Sequence, residues 1–382
     1  MSDMNEKTHR SAKIMRFWFG MALTAVTCVI AFAVAEAVLR LVPIPGITYH
    51  SFYYDELTGQ RLYPGSTVIY RNDRNDHIRR RVNSLGYLGR EHEIAKAPGA
   101  IRICFFGDSF TEARQVPLEE TFSSIIEHEL NARHPRAPIE CIAIGMMGYS
   151  TLQAYLEYTR WADSLSVDHA VYVFCENDMG DNIPELKRCD AIPFPRLSGN
   201  VLSMDFSFRE RKRHKTRFPH RTWQYLKSHS LVFSTLESRL KLLYHRGIKL
   251  RVTREEIEMA ERAPNDEPPE VNALPSTWPD SLRTHAMTVA EMILAKWHHE
   301  VTSDGRRFTI IYIPRSSEFG KPLETQDSWA PWLFRFCKRS GIELVDPTPS
   351  MIERKNRGEE IYYDHLARAG HEALAASFLK QY

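Results

Sequence analysis

The sequence lacks several patterns that would place it among common classes of binding or catalytic protein. It contains no GxxxxGK[ST] run, so a phosphate-cradling P-loop is excluded. Its six cysteines form no CxxC pair, and with the histidines they form no cluster that has the spacing of a zinc site. Six cysteines in 382 residues also do not make a disulfide scaffold. The sequence therefore predicts a protein that needs neither a metal nor another cofactor.

A strong excess of charge of one sign is also missing. The chain has 50 Lys and Arg against 48 Asp and Glu, which gives a formal net charge of +2. No overall field would draw it to nucleic acid, and we expect no nucleic-acid partner. The basic run from Arg209 to Arg217 is short. It is either a solvated face or a patch for anionic polysaccharide or lipid headgroups.

One long apolar run lies near the N-terminus, where no charged residue occurs from Phe17 to Ala35. A helix of about 20 apolar residues spans the ~30 Å core of a bilayer. Basic residues precede the run, which favours a cytoplasmic N-terminus: Lys7, Arg10, Lys13 and Arg16. We predict a cytoplasmic segment 1–16, a transmembrane anchor 17–35 in a bacterial inner membrane, and a periplasmic remainder. Cleavage of a signal peptide after Ala33-Val34-Ala35 is the alternative.

The remaining chain divides into a lead-in and an α/β domain. Residues 36–99 are rich in proline and glycine and read as a segment with short strands that packs on the domain 100–382. Strands are predicted at 101–106, 140–144, 169–175, 308–313 and 342–345, and helices at 119–133, 151–162, 281–301, 329–339 and 370–379. Such alternation predicts a parallel sheet that is covered on both faces.

The α/β rhythm is lost between about 181 and 278, which indicates an insertion. It is predicted to be partly helical around Trp223 to Tyr244, and to be loop-like from Ala263 to Pro279. The insertion could be a lid or cap over a site, or a surface elaboration with no direct role.

Four short blocks carry residues with catalytic chemistry. Gly107-Asp108-Ser109-Phe110 follows the first strand, Gly148 the second and Asn177 the third, and Asp364-His365 precedes the last helix. Strand ends of an open parallel sheet meet at one edge, where ligands bind. A serine there can act as a nucleophile if a histidine removes its proton. Backbone and amide N–H groups can stabilise the resulting oxyanion. Each block alone is also compatible with a turn or a helix cap.

In this order the blocks resemble the SGNH hydrolase superfamily, also called the GDSL esterase group. The resemblance implies a three-layer α/β domain over 100–382 with a flavodoxin-like, five-stranded parallel sheet. It implies that Ser109 is the nucleophile and His365 the base, and that Ser109, Gly148 and Asn177 form the oxyanion hole. The run from Val82 to Tyr87 is also similar to the lead-in of membrane-anchored bacterial members.

One position departs from the family pattern. The family places an aspartate two or three residues before the histidine, where this chain has Tyr362 and Tyr363. Asp364 is adjacent to His365 instead. Either Asp364 orients the imidazole through a local turn, or the site is a dyad that a backbone carbonyl supports. Asp346 is a further candidate.

These expectations define the predicted function. The sequence predicts an extracytoplasmic serine esterase that removes acyl groups, such as acetyl, from envelope or exported carbohydrate. An O-acyltransferase that passes the acyl group from Ser109 to a sugar hydroxyl is the first alternative. A catalytically inactive protein that binds polysaccharide or scaffolds the envelope polysaccharide machinery is the second.

Overall fold

The structure, a computed structural model, describes residues 2–42, 52–72, 74, 76–199, 201–249 and 272–382. The chain begins with one continuous helix, α1 (Ser2–Leu41). Its part from Lys13 to Leu41 contains an 18-residue stretch with a mean hydropathy of 2.2 and is long and apolar enough to cross a membrane. A signal sequence passes the same test of length and composition. Apolar side chains along this helix are exposed, as Val29 and Ile30 show at 68% and 58%.

The strands in the described residues of the lead-in form two antiparallel hairpins. They pair β1 (Phe52–Asp55) with β2 (Gly59–Leu62), and β3 (Thr67–Arg71) with β4 (His77–Arg81). Both pack on the α/β domain. The Tyr149 hydroxyl donates to the carbonyl of Gln60 at 2.8 Å, and Arg80 Nη1 donates to the carbonyl of Ala113 at 2.8 Å. The lead-in therefore contacts the loops that follow the first two strands of the main sheet.

The main sheet has five parallel strands, and the chain order of its strands is that of flavodoxin-like proteins. The strands are β5 (Ile101–Gly107), β6 (Ile139–Gly145), β7 (His169–Phe174), β10 (Arg307–Tyr312) and β11 (Glu343–Val345), in the spatial order β6-β5-β7-β10-β11. The predicted fold class is confirmed, and each predicted strand end is displaced by a single residue at most. The order reverses between β5 and β7, so the crevice for a ligand is expected beyond the carboxyl ends of these two strands.

Among the described residues, six longer helices cover the sheet. They are α3 (Phe122–Arg133), α4 (Thr151–Trp161), α10 (Asp280–Ser303), α11 (Ala330–Ser340), α12 (Thr348–Asn356) and α13 (Arg368–Leu379). The helix predicted from 119 begins at Phe122, because 118–120 form a 3₁₀ turn and Thr121 caps α3 by accepting from the Ser124 N–H at 3.4 Å. The sequence analysis missed α12.

Side chains of the central strand β5 alternate between two cores. Ile103 and Phe105 pack with α3, α12 and α13, whereas Cys104 and Phe106 pack with α4, α10 and α11. All four are completely buried. Because successive side chains of β5 point to opposite faces and both faces are buried, helices cover the sheet on each side, which gives three layers. The strand that carries the Ser109 loop is thus held rigidly from both sides.

In its described residues, the insertion has short elements and two longer helices. They are α6 (Pro184–Lys187), the hairpin of β8 (Phe194–Ser198) and β9 (Val201–Asp205), α7 (Phe208–Lys212), α8 (Phe218–His229) and α9 (Leu231–Lys249). The helix predicted around Trp223 to Tyr244 is therefore two helices, which separate at Ser230. Most of the loop predicted from Ala263 lies outside the described residues.

Candidate active site

The serine block forms a tight turn from β5 into α2 (Ser109–Glu112). Asp108 caps this helix by accepting from the Phe110 N–H at 2.9 Å. Gly107 has no room for a side chain, because a Cβ there would lie 2.4 Å from Thr111 Oγ1 and 2.9 Å from the carbonyl of Val173. Close packing therefore requires a glycine at position 107, and the aspartate at position 108 caps the helix. Together they place Ser109 at the carboxyl end of the central strand.

The structure brings Ser109 and His365 together, although 255 residues separate them in the sequence. His365 Nε2 lies 2.7 Å from Ser109 Oγ, which is hydrogen-bonding distance. A local turn holds His365, since the Tyr363 N–H donates to the carbonyl of His365 at 2.7 Å. The Phe110 ring packs against the imidazole with a centroid distance of 4.8 Å. The imidazole is therefore held against the serine from two sides.

Asp364 lies beside His365 but is not aligned as in a regular triad. Its Oδ2 is 3.4 Å from His365 Nδ1, and its Oδ1 accepts the His365 backbone N–H at 3.0 Å. Nδ1 has no aligned hydrogen-bond partner among the described residues. Burial raises the pKa of Asp364, but contacts with His365 and the hydroxyl of Tyr70 outweigh it and lower the pKa to about 2. The carboxylate is therefore ionised at neutral pH and acts on the imidazole by proximity of charge.

Asp364→Ala is expected to lower kcat/KM for an acyl ester by about 10- to 100-fold, less than the ~10⁴-fold typical of a triad aspartate. The reason is the unaligned 3.4 Å contact with Nδ1. Tyr70→Phe keeps the Asp364 carboxylate and removes only the hydroxyl that donates to it, so it is the milder matched change. Steady-state kinetics on both variants measures kcat/KM. A loss as large as that of His365→Ala would show a fully working triad, and no loss would show a dyad.

Gly148 lies in the turn after β6, where the sequence analysis placed it. Its φ of +73° lies in the left-handed region that favours glycine. Its carbonyl accepts from Lys187 Nζ at 2.9 Å. This contact holds the peptide unit between Gly148 and Tyr149, whose N–H donates to the carbonyl of Met146 at 3.1 Å.

Asn177 follows β7 as the first residue of α5 (Asn177–Asp181). Its amide Nδ2 donates to Asp108 Oδ2 at 3.2 Å and to Asp181 Oδ2 at 3.1 Å. Its Oδ1 accepts from the thiol of Cys175 at 2.9 Å. The side chain thus lies beside the serine loop, and both of its N–H groups donate to carboxylates.

The carboxylates and the thiol around Asn177 form a buried cluster. Ligand atoms of Asp108, Cys175 and Asp178 lie within 4.8 Å of one another, a spacing that a metal ion could use. However, Asp178 accepts from the hydroxyl of Tyr172 at 2.7 Å and from the Cys175 N–H at 2.9 Å. Burial raises the pKa of both Asp178 and the Cys175 thiol, which opposes the deprotonated forms that metal binding needs. The residues therefore fit a hydrogen-bonded support for Asp108 and Asn177 better than a metal site.

A partly buried ion pair joins two of the predicted oxyanion-hole residues. Lys187 Nζ lies 2.7 Å from Asp181 Oδ1 and also donates to the carbonyl of Gly148. Asp181 in turn accepts from Asn177. Sequence reasoning missed Lys187, and it missed Tyr70 of the lead-in. Neither lies in a motif, and no spacing pattern could have indicated these contacts.

Neither Asp346 nor His371, a second histidine close to His365 in the sequence, hydrogen-bonds with Ser109. Asp346 accepts from the Thr348 N–H at 2.9 Å and so caps α12. His371 lies in α13, is 1% exposed, and accepts from the Phe122 N–H at 3.3 Å. Burial lowers the pKa of His371 to about 3, so it stays neutral as a core residue. Ser109, Gly148, Asn177 and His365, in contrast, line one open pocket of ≈ 760 Å³.

No family model and no curated protein matches the sequence. Solved structures are similar to the chain at low identity. A member of the lipolytic protein G-D-S-L family from Veillonella parvula has 12% identity and a TM-score of 0.35, over 74% of this chain and 97% of that one. The lipase/acylhydrolase from Enterococcus faecalis has 12% identity and a TM-score of 0.37, over 74% of this chain and 94% of that one. An acetyl xylan esterase from Geobacillus stearothermophilus has 12% identity and a TM-score of 0.35, over 76% of this chain and 96% of that one. Such values carry no argument about chemistry, which rests on the geometry of the site.

Proposed function

We propose that the protein is a serine esterase of the SGNH type. The observation that carries this proposal is the 2.7 Å contact between Ser109 Oγ and His365 Nε2 at the carboxyl edge of the sheet. His365 takes the hydroxyl proton as Oγ attacks an ester carbonyl, and then gives that proton to the leaving alcohol. Water, activated by His365, next hydrolyses the acyl-enzyme, which releases the acid and restores Ser109.

The oxyanion is held by the backbone N–H groups of Ser109 and Gly148 and by the amide of Asn177. Each donor is worth about 3 kcal/mol of barrier. Asn177 has to exchange one of its present bonds, to Asp108 or to Asp181, for the oxyanion. Because these two bonds hold the amide beside the serine loop, it is already oriented before a substrate binds. The pair of Lys187 and Asp181 keeps Gly148 and Asn177 at a fixed separation.

The proposed substrate is an O-acyl group, such as acetyl, on envelope or exported carbohydrate. Around the nucleophile the pocket is open, and several of its side chains are polar or charged: Asp181, Lys187, Arg315 and Tyr363. Such a pocket suits a short acyl group on a polar carrier. The helix α1 would anchor the protein in the inner membrane of a bacterium, with the catalytic domain in the periplasm. A transferase that uses a sugar hydroxyl instead of water would have the same acyl-enzyme.

The experiment that tests this proposal is labelling of the folded protein with a fluorophosphonate probe. Wild type is expected to be labelled at Ser109, and Ser109→Ala and His365→Ala are expected to lose the label. His134→Ala, at an exposed position, is the matched histidine control and should label like wild type. Absence of label on folded wild type would contradict an activated serine and favour an inactive binding protein.

A second assay separates hydrolase from transferase. The protein is incubated with p-nitrophenyl acetate, with and without a sugar acceptor. Hydrolysis predicts acetate as the acyl product and a release rate that the acceptor does not change. Acylated sugar that forms only when Ser109 is intact would show transfer.

A further inference from the structure

The insertion is attached to the N-terminal helix where α8 ends and α9 begins. The Glu36 carboxylate of α1 accepts from the hydroxyl of Ser230 at 2.8 Å and from the N–H groups of Leu231 and Val232 at 3.0 and 3.1 Å. Glu36 therefore caps the first turn of α9, whose N–H groups have no partner within the helix. Arg40 Nη2 also donates to the carbonyl of His229 at 3.1 Å. These contacts fix the start of α9 against the last turns of α1.

An apolar contact continues this junction. The rings of Phe32 and Phe233 lie 5.4 Å apart between centroids. Leu236, Leu240 and Leu243 follow Phe233 at helical spacing and lie on the same side of α9. These leucines are 48%, 55% and 63% exposed. The exposed apolar side chains of α1 and the leucine stripe of α9 are therefore joined through the contact of Phe32 with Phe233.

Exposed cations also lie on the elements of the insertion that precede α9. Arg213, Arg217 and Arg221 are exposed on the 3₁₀ turn before α8 and on α8 itself, next to Phe218, which is 81% exposed. Basic and aromatic side chains that flank an apolar helix face are typical of helices that lie in a membrane interface. In a protein surrounded by water, a leucine stripe of this kind would remain uncovered.

We propose that α9 lies in the membrane interface beside α1, with Leu236, Leu240 and Leu243 in the acyl region of the bilayer. Arg213, Arg217 and Arg221 contact anionic lipid headgroups. The proposal rests on the membrane anchor of the proposed function, and it commits to lipid rather than protein as the cover of this face. It also gives α1 a role that cleavage would abolish. Removal of the chain up to Ala35 would eliminate Phe32 and leave Glu36 as a terminus.

The test uses the full-length chain in vesicles of phosphatidylcholine and phosphatidylglycerol. Single cysteines for an environment-sensitive fluorophore are introduced after Cys28 and Cys189 are changed to serine, since the other four cysteines are buried. The variants are Leu240→Cys and Leu243→Cys on the proposed lipid face, and Ser238→Cys on the opposite side of α9. Val26→Cys in α1 and Val201→Cys in the distant β8–β9 hairpin are the membrane and solvent references. Quenching by nitroxide-labelled lipids is measured for each.

Labels at Leu240 and Leu243 are expected to shift to shorter wavelengths and to lose fluorescence to the lipid quencher, as at Val26. Labels at Ser238 and Val201 should keep both their emission wavelength and their fluorescence. Quenching at Val26 but not at Leu240 or Leu243 would overturn the proposal and leave the anchor intact. A blue-shifted but unquenched label at Leu240 would assign the face to protein, which also overturns it. Failure to quench at Val26 would reject the anchor itself.

Discussion

Ser109→Ala is expected to reduce kcat for an acyl ester by at least about 10⁴-fold, and His365→Ala by a similar factor. The two side chains act as a unit, because the 2.7 Å contact lets the imidazole take the proton as the hydroxyl attacks. Loss of either one removes the acyl-enzyme route. The double variant is therefore expected to be hardly slower than each single variant, as in other nucleophile and base pairs.

The measurement is kcat on p-nitrophenyl acetate for the two single variants and the double variant, with the melting temperature as a check of folding. Ser109→Ala removes one oxygen from a side chain at the end of a packed strand, so the fold is expected to persist. His134→Ala serves as the control for loss of a histidine that is exposed and remote in sequence from the blocks. Effects of the single variants that multiply in the double variant would contradict a shared step, as would a loss below about tenfold in either one.

The sheet could be predicted well from the sequence because local patterns determine it. Each strand is a short apolar run that ends at a glycine, a polar residue or a turn, and β5 is a clear example with both of its faces buried. The blocks that carry Ser109, Gly148 and Asn177 follow these strands directly, so their common edge was predictable from the rule on parallel sheets. His365 follows no strand directly, and its place beside Ser109 was implied by the resemblance to the SGNH hydrolases.

The residues that sequence reasoning missed depend on contacts between distant segments. Lys187 reaches Gly148 and Asp181 only because α6 of the insertion folds back on the site. Tyr70 reaches Asp364 across almost 300 residues, from a hairpin of the lead-in. Neither side chain has a motif, a period or a fixed spacing to the residue that it contacts. Their roles follow from tertiary packing, which no local pattern encodes.

The orientation of the Asp364 carboxylate also depends on tertiary packing. Adjacency in sequence could not show whether its carboxylate would face the imidazole or turn away. The structure places the carboxylate close to Nδ1 but ties one of its oxygens to the His365 backbone N–H. The residue that should complete a triad is thus partly used in holding its own loop, which is why its removal is predicted to cost less than loss of His365.

Asn177→Ala is expected to lower kcat by about 10²- to 10³-fold with little change in KM, because an oxyanion donor acts mainly in the transition state. The variant should still fold, since the neighbouring acids keep other partners. Asp181 retains Lys187 at 2.7 Å, and Asp108 retains the Phe110 N–H at 2.9 Å. The decisive measurement is the separate determination of kcat and KM on a soluble acetyl ester.

Asn182 provides the matched control, because it is a buried asparagine at the end of the same short helix α5. Its amide donates to Thr151 Oγ1 at 3.0 Å and to the carbonyl of Asp178 at 2.8 Å, away from the serine. Asn182→Ala should lower the melting temperature while kcat stays near the wild-type value. If both asparagine variants lowered kcat equally, the effect of Asn177 would be structural support of the loop. If Asn177→Ala raised KM alone, the amide would bind the ground state of the substrate rather than the oxyanion.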